Sequence, residues 1–267
     1  MKKYFLVSTA LAMLGAGSAM AADLPVKAPV VAAVPGCAQF GGFYLGGNVG
    51  WKYRTNDLKD KDNFGFNFTR LDHVSDGTET ANSWEAGVQS GYNWQFNCAV
   101  WGIQGDWNWT GAKVSDFFTE PGVPFPGTFA YSSKERWFGT LRTRSGVVVD
   151  SLLLYVTGGL AWANFNRNLV YNDGVGDVQA FSSSKTRLGF VVGAGTEWAL
   201  SPNWSIVSEF LYMGFEKDNP SYVCNSPLFP CFGGTPFRYE FKDNEWVARV
   251  GVNYRWGAWG APLLARY

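Results

Sequence analysis

The side chains with the most chemical capacity are few. One histidine, His73, stands beside Asp72 and Asp76. An imidazole there could ligate haem iron or act as a general base. No nucleophile with an orienting partner can be assigned around it, so His73 stays only as a haem candidate and a catalytic role is set aside. Asn56–Asn63 reads NDLKDKDN and suggests calcium, but Phe64 stands where the EF-hand pattern needs a ligand. Gly193-Ala194-Gly195 lacks the third glycine of a dinucleotide loop, Trp198 taking its place, and no helix follows. Cys37, Cys98, Cys224 and Cys231 are scattered, and one histidine cannot complete a zinc set with them. No catalytic residue, metal ligand or bound cofactor is assigned.

The remaining chemistry is charge at a spacing of two. Arg142 and Arg144 share such a spacing, and Arg249 and Arg255 stand an even number apart. On a strand, even spacing puts side chains on one face. An arginine pair on one face is either an anion site or half of an ion network, and the surrounding elements decide which.

Glu135–Phe165 shows what those elements are. Its second half has a single charge, Asp150, across 20 residues, long enough for a membrane helix. The period is nevertheless two. Trp137, Gly139, Leu141, Thr143 and Ser145 alternate with Phe138, Thr140, Arg142, Arg144 and Gly146. After Val147–Ser151, read as a turn, Leu154, Val156, Gly158, Leu160 and Trp162 alternate with Tyr155, Thr157, Gly159, Ala161 and Ala163. This is a hairpin.

The same pattern recurs at Phe43–Arg54, at Asn82–Phe96, around Trp101–Trp109, Arg187–Trp198 and Trp204–Tyr212, and at Trp246–Trp256. That makes eight strands. Thr55–Ala81, Thr110–Lys134, Asn166–Ser184 and Gly214–Asn244 read as long loops alternating with short turns. Twelve of the 13 tryptophans fall on the apolar faces. Lys52, Arg54, Glu85, Asp106, Arg142, Arg144, Arg187, Glu197, Glu209, Arg249 and Arg255 fall on the opposite ones. A soluble sandwich would put its bulk inside and its charge outside. Apolar-out, polar-in strands with one set of short turns are the pattern of an outer-membrane β-barrel, closed because an open edge in lipid leaves backbone groups unpaired. The expected fold is therefore all-β, an eight-stranded antiparallel up-and-down transmembrane barrel.

Two consequences follow. A narrow eight-strand lumen is filled by side chains, so the inward charges are expected to pair as a network. Cys37 and Cys98 fall at the periplasmic rim, and Cys224 and Cys231 share one outer loop. Spacing alone allows three connectivities; topology favours Cys37–Cys98 and Cys224–Cys231 as disulfides in an oxidising compartment.

Composition and targeting agree. Gly 32, Phe 21, Trp 13 and Tyr 12, with 16% charged residues, suit strands better than helices. Lys2 and Lys3, an apolar run and Ala19-Met20-Ala21 form a secretory signal over residues 1–21, cut between Ala21 and Ala22. Removing it leaves a slight acidic excess, which gives no basic footprint for nucleic acid. Residues 22–36, with Pro25, Pro29 and Pro35, form a tether; 37–256 form the barrel; and 257–267 form an extension.

Several segments are also familiar together: FGGFYLGGNVGW (Phe40–Trp51), GYNWQF (Gly91–Phe96), GIQGDWNW (Gly102–Trp109), GTLRTRSG (Gly139–Gly146), LYVTGGLAWANF (Leu154–Phe165), VGAGTEWAL (Val192–Leu200), NWSIVSEFLYMGF (Asn203–Phe215) and VARVGVNYRW (Val247–Trp256). Taken in order, the chain resembles the alphaproteobacterial outer-membrane β-barrel family, which includes small surface proteins of rhizobia and Brucella and hemin-binding proteins of Bartonella. The resemblance implies a barrel like the transmembrane part of outer-membrane protein A. It also implies a non-enzymatic surface role in the envelope, with hemin binding or weak porin-like transport as the alternative. Expected partners are outer-membrane lipid and lipopolysaccharide, the barrel-assembly machinery, and hemin or a surface ligand on the outer loops. Many members end at the aromatic position held here by Trp256; this chain continues to Tyr267, and either residue could serve as the assembly signal.

Overall fold

A computed structural model describes residues 37–61, 76–119, 128–172, 178–224 and 235–256. The signal with Ala21 and Ala22, the tether, His73, Cys231 and the extension with Tyr267 lie outside the described residues, as does the side chain of Cys224.

The chain forms ten strand segments: β1 (Gly42–Asp60), β2 (Asp76–Phe96), β3 (Ala99–Thr110), β4 (Lys113–Thr119), β5 (Thr128–Val149), β6 (Leu152–Asn172), β7 (Val178–Ala199), β8 (Trp204–Phe215), β9 (Ser221–Cys224) and β10 (Thr235–Trp256). They make eight staves. β4 continues β3 along β5, and β9 continues β8 along β10. All neighbours are antiparallel, and β1 pairs with β10 from Phe43↔Trp256 to Asp60↔Tyr239, closing the ring.

The faces follow the alternation. Phe43, Leu45, Val49 and Trp51 point out, while Tyr44, Asn48, Lys52 and Arg54 are buried inside. Stacked Trp94–Trp101 and the Phe43–Trp256 pair mark one aromatic belt, and stacked Trp107–Trp137 with Trp51, Trp84 and Trp246 mark the other. Along β10 the belts are ten residues apart, about 33 Å of strand at 3.3 Å per residue. With the usual tilt this gives about 25 Å of apolar height, the expected lipid-facing band.

The strands do not stop at that band. Crossing takes about 9–11 residues, yet β5, β7 and β10 each have 22. Strand therefore runs well into each of the four stretches expected to be long loops: β1 reaches Asp60 and β2 begins at Asp76, β4 and the start of β5 lie within Thr110–Lys134, β6 and β7 enter Asn166–Ser184, and β9 and the start of β10 lie within Gly214–Asn244. The reason is solvent. Above the second belt the outer wall meets water, so Lys59, Lys134 and Lys242 face outward and the apolar-out signal vanishes while strand pairing continues. The turns are also tighter than expected. Asp150 and Asn97, at φ 53° and 54°, open two-residue loops between Val149 and Leu152 and between Phe96 and Ala99, where short polar side chains tolerate the left-handed region. Val147–Val149 is strand.

One irregularity sets the interior. β5 is bulged between Glu135 and Trp137. Arg136 and Trp137 both lie on the outer wall, so the inward phase changes from Tyr131, Ser133 and Glu135 above to Phe138, Thr140, Arg142 and Arg144 below.

Candidate functional site: a filled lumen

The interior is packed from end to end in alternating apolar and ionic layers. At the periplasmic end, Cys37 is disulfide-bonded to Cys98, which ties the residues before β1 to the first turn. Ala38 donates its amide to the Asp150 carbonyl at 2.7 Å. Phe40 then enters the barrel mouth, fully buried with Val100, Val148, Leu153 and Val207. Gln95 Oε1 accepts its amide at 2.6 Å, and Asn93 Nδ2 donates to its carbonyl at 2.8 Å. Phe40 is a stopper held at its backbone.

Above it lies the first ionic layer. Glu197 accepts from Arg144 Nη1 at 2.9 Å and Arg255 Nη2 at 2.8 Å. Ser205 Oγ donates to the same carboxylate at 2.6 Å. The Arg144 guanidinium lies 4.6 Å from the Tyr44 ring centroid and 5.1 Å from that of Tyr155, while Arg255 covers the Phe40 ring at 4.8 Å.

The second layer is a closed quartet. Arg142 reaches Asp106 at 2.9 Å and Glu209 at 3.1 Å; Arg249 reaches the same two at 3.0 and 2.6 Å. Tyr155 Oη donates to Glu209 at 2.9 Å and Thr140 Oγ1 to Asp106 at 2.6 Å. Glu85 is buried beside this quartet with no hydrogen-bond partner on either oxygen. Long side chains meet here because the facing inward positions are glycines. A Cβ on Gly50 would lie 2.6 Å from Glu85 Oε1, and one on Gly195 would lie 2.6 Å from the Tyr155 ring. Gly195→Val is therefore expected to displace Tyr155 and lower stability by about 1–3 kcal/mol, the usual cost of overpacking. Outward Gly105, whose Cβ would meet only the Thr140 carbonyl at 3.8 Å, accepts Ala without change. Guanidinium unfolding in micelles compares the two.

The third layer is Lys52 between Glu135 at 2.5 Å and Glu245 at 2.6 Å, with its ammonium 3.9 Å from the Phe138 ring centroid. The bulge brings Glu135 here. Phe165, Leu211, Met213, Phe215 and Val247 pack around it. The fourth layer stands above the second belt: Asp243 takes Arg54 and Arg167, each at 2.6 Å, and Asp218 takes Arg167 and Arg187. Burial would raise the Asp243 carboxyl, but Arg54 and Arg167, with hydrogen bonds from Arg54 and Asn56, hold it below its ordinary value. Leu58, Val114, Tyr131, Leu169, Tyr239 and Phe241 cap the stack.

The structure pairs the inward charges expected from the sequence with opposite charges, except Glu85, which is buried without a hydrogen-bond partner. Arg187 is only partly covered, its side chain 19% exposed, because it sits beside Asp218 just past Gly189, the last residue of β7 to pair with β8. Five partners escape the sequence reading: Glu135, Arg167, Asp218, Asp243 and Glu245. Four fall in presumed loops or beside their ends, and Glu135 is hidden by the bulge. Glu245 and Asp243 continue the alternation of Val247 by twos, a signal that could have found them. With these included, eight cations (Lys52, Arg54, Arg142, Arg144, Arg167, Arg187, Arg249, Arg255) face eight anions (Glu85, Asp106, Glu135, Glu197, Glu209, Asp218, Asp243, Glu245). Among these sixteen residues the formal charges balance. Pairing of this kind offsets the cost of burying charge, and Glu85 alone of the sixteen lacks it.

Comparison with known proteins gives the same architecture. The model of the outer membrane protein beta-barrel domain family matches residues 9–255. The chain is 34% identical over 266 residues to the 31 kDa outer-membrane immunogenic protein of Brucella melitensis, covering 96% of this chain and 100% of the relative. It is 29% identical to the 22 kDa outer membrane protein of Rhizobium leguminosarum bv. viciae, over 80% of this chain and 77% of the relative. Among solved structures, the outer membrane protease OmpT of Escherichia coli aligns with a TM-score of 0.50 at 8% identity, over 80% of this chain and 97% of that one. That last likeness is of fold alone. An eight-stave ring with a lipid-facing aromatic band, a charged interior and these relatives places the chain in the outer membrane, as a member of the outer membrane protein beta-barrel domain family.

Proposed function

We propose that this barrel is a structural, surface-presenting element of the cell envelope, working neither as an enzyme nor as a solute channel. The filled lumen carries this reading. Phe40 stoppers one end, the apolar cap closes the stack at the other, and four ionic layers lie between them. The lumen carboxylates other than Glu85 each have a cation at contact distance, so their charge is committed to holding the wall together. Roughly half of each long strand stands beyond the second aromatic belt, so the barrel wall continues past the lipid.

Liposome swelling tests the reading. Vesicles carrying the refolded mature chain are expected to stay impermeant to arabinose and glucose; swelling comparable to that with a general porin would replace the structural role with a transport role. A hemin titration runs beside it. A saturable Soret shift abolished by His73→Ala would replace the structural role with ligand capture.

A further inference from the structure

The outer wall just above the second aromatic belt is electrostatically uneven. On the β10–β1–β2 side, outward Asp57 stands in register with outward Lys242, so opposite charges meet. On the β4–β5 side, outward Lys113 stands directly opposite outward Lys134, and the bulge adds exposed Arg136 immediately below them. Like charges directly opposite on a sheet repel. None of the three has an ion-pair partner among the described residues. The outward positions of β6 alongside are Asn164, Asn166 and Asn168, and the acid of β4, Asp116, is exposed farther along the strand, where its Oδ1 accepts the Phe117 amide at 2.8 Å. The bulge also removes Glu135 from the side of Lys134 and Arg136 by turning it into the lumen against Lys52.

Three further observations indicate what fills this gap. The group borders Trp109 and Trp137 on the lipid-facing wall, which is headgroup height. Asn166, level with Lys134, keeps a buried Oδ1 with no hydrogen-bond partner. Beside Lys113 the same wall carries a depression of about 310 Å³ lined by Ser115, Asp116, Phe117, Ser132 and Asn168, two hydroxyls, a carboxylate and an amide beside one exposed aromatic ring, which is the lining a sugar takes.

We propose that Lys113, Lys134 and Arg136 seat a phosphate of an outer-leaflet glycolipid, its sugar in the adjoining depression and its acyl chains along the tryptophan wall below. The site depends on the membrane placement of the barrel and not on whether the lumen conducts.

The test uses the refolded mature chain in mixed micelles, with bisphosphorylated lipid A as probe and the same lipid stripped of phosphate as control. Tryptophan emission and native mass spectrometry follow binding. Each cation near an anionic surface contributes about fivefold in affinity. Lys113→Gln/Lys134→Gln/Arg136→Gln is therefore expected to bind lipid A at least about tenfold more weakly while keeping the mobility difference between unboiled and boiled samples. Lys242→Gln is expected to bind as the parent does. Should the triple variant fail to fold, Lys134→Gln alone should weaken binding about fivefold. Equal binding by the neutralised variants, equal binding of the dephosphorylated lipid, or an equal loss in Lys242→Gln would overturn the proposal.

Discussion

Glu209→Gln is expected to lower the unfolding free energy by about 3–5 kcal/mol, the usual consequence of removing one member of a buried ion network. The substitution preserves volume, so packing is not the cause. Glu209 accepts from both terminal nitrogens of Arg142, from Nε and Nη2 of Arg249, and from Tyr155. With an amide in its place, two buried guanidiniums share the single carboxylate of Asp106. Guanidinium unfolding in micelles, followed by tryptophan emission, reads the loss. Arg142→Gln combined with Glu209→Gln should lose less than the sum of the single losses, because each single change strands a partner that the double change does not. Parent-like unfolding of Glu209→Gln would mean that the quartet does not hold the staves together.

The second large effect is on the opposite face. Val250 lies midway between Trp246 and Trp256, pointing outward and 53% exposed. Val250→Arg puts a cation at the centre of the lipid-facing band, where the cost is about 2–4 kcal/mol, falling to about 0–1 kcal/mol near the interfaces. Asn82 also faces outward, but it lies above Trp84 in the solvent-bathed part of the wall. Asn82→Arg should therefore leave stability unchanged. Unfolding from lipid vesicles measures both. Equal tolerance at the two positions would be the behaviour of a water-facing barrel and would contradict the assigned faces.

Within the lipid-facing band the sequence was almost fully legible, because two solvents act on one strand. Lipid selects Val250, Val252 and Tyr254 on one side, the lumen selects Arg249, Gly251 and Arg255 on the other, and the period of two survives in the letters. Above Trp246 water replaces lipid. Lys242 and Asn244 are then as polar as the lumen residues Asp243 and Glu245, the contrast between faces disappears, and the strand reads as loop. Glu135 was illegible for another reason. A bulge adds one residue to one strand, and nothing in ERWF marks which residue is extra; only the pairing of Glu135 with Phe165 and of Trp137 with Asn164 reveals it. Phe40 was likewise unremarkable until the structure put it inside the mouth, held by Asn93 and Gln95.

These corrections bear on function. A barrel ending at the lipid surface, with long loops above it, would have carried its surface chemistry on those loops. The barrel found here carries a paired, filled interior well past the membrane, and its outer wall presents Lys113, Lys134 and Arg136 at headgroup height.

The filled lumen is most directly tested by planar-bilayer recording from the refolded mature chain, with an Arg142→Gly/Arg249→Gly variant as the opened comparison. The parent is expected to show no stepwise conductance in molar salt, and the variant, with two guanidiniums removed from the second layer, to show small steps. Stepwise conductance from the folded parent would contradict the filled lumen and, with it, the structural role built on it.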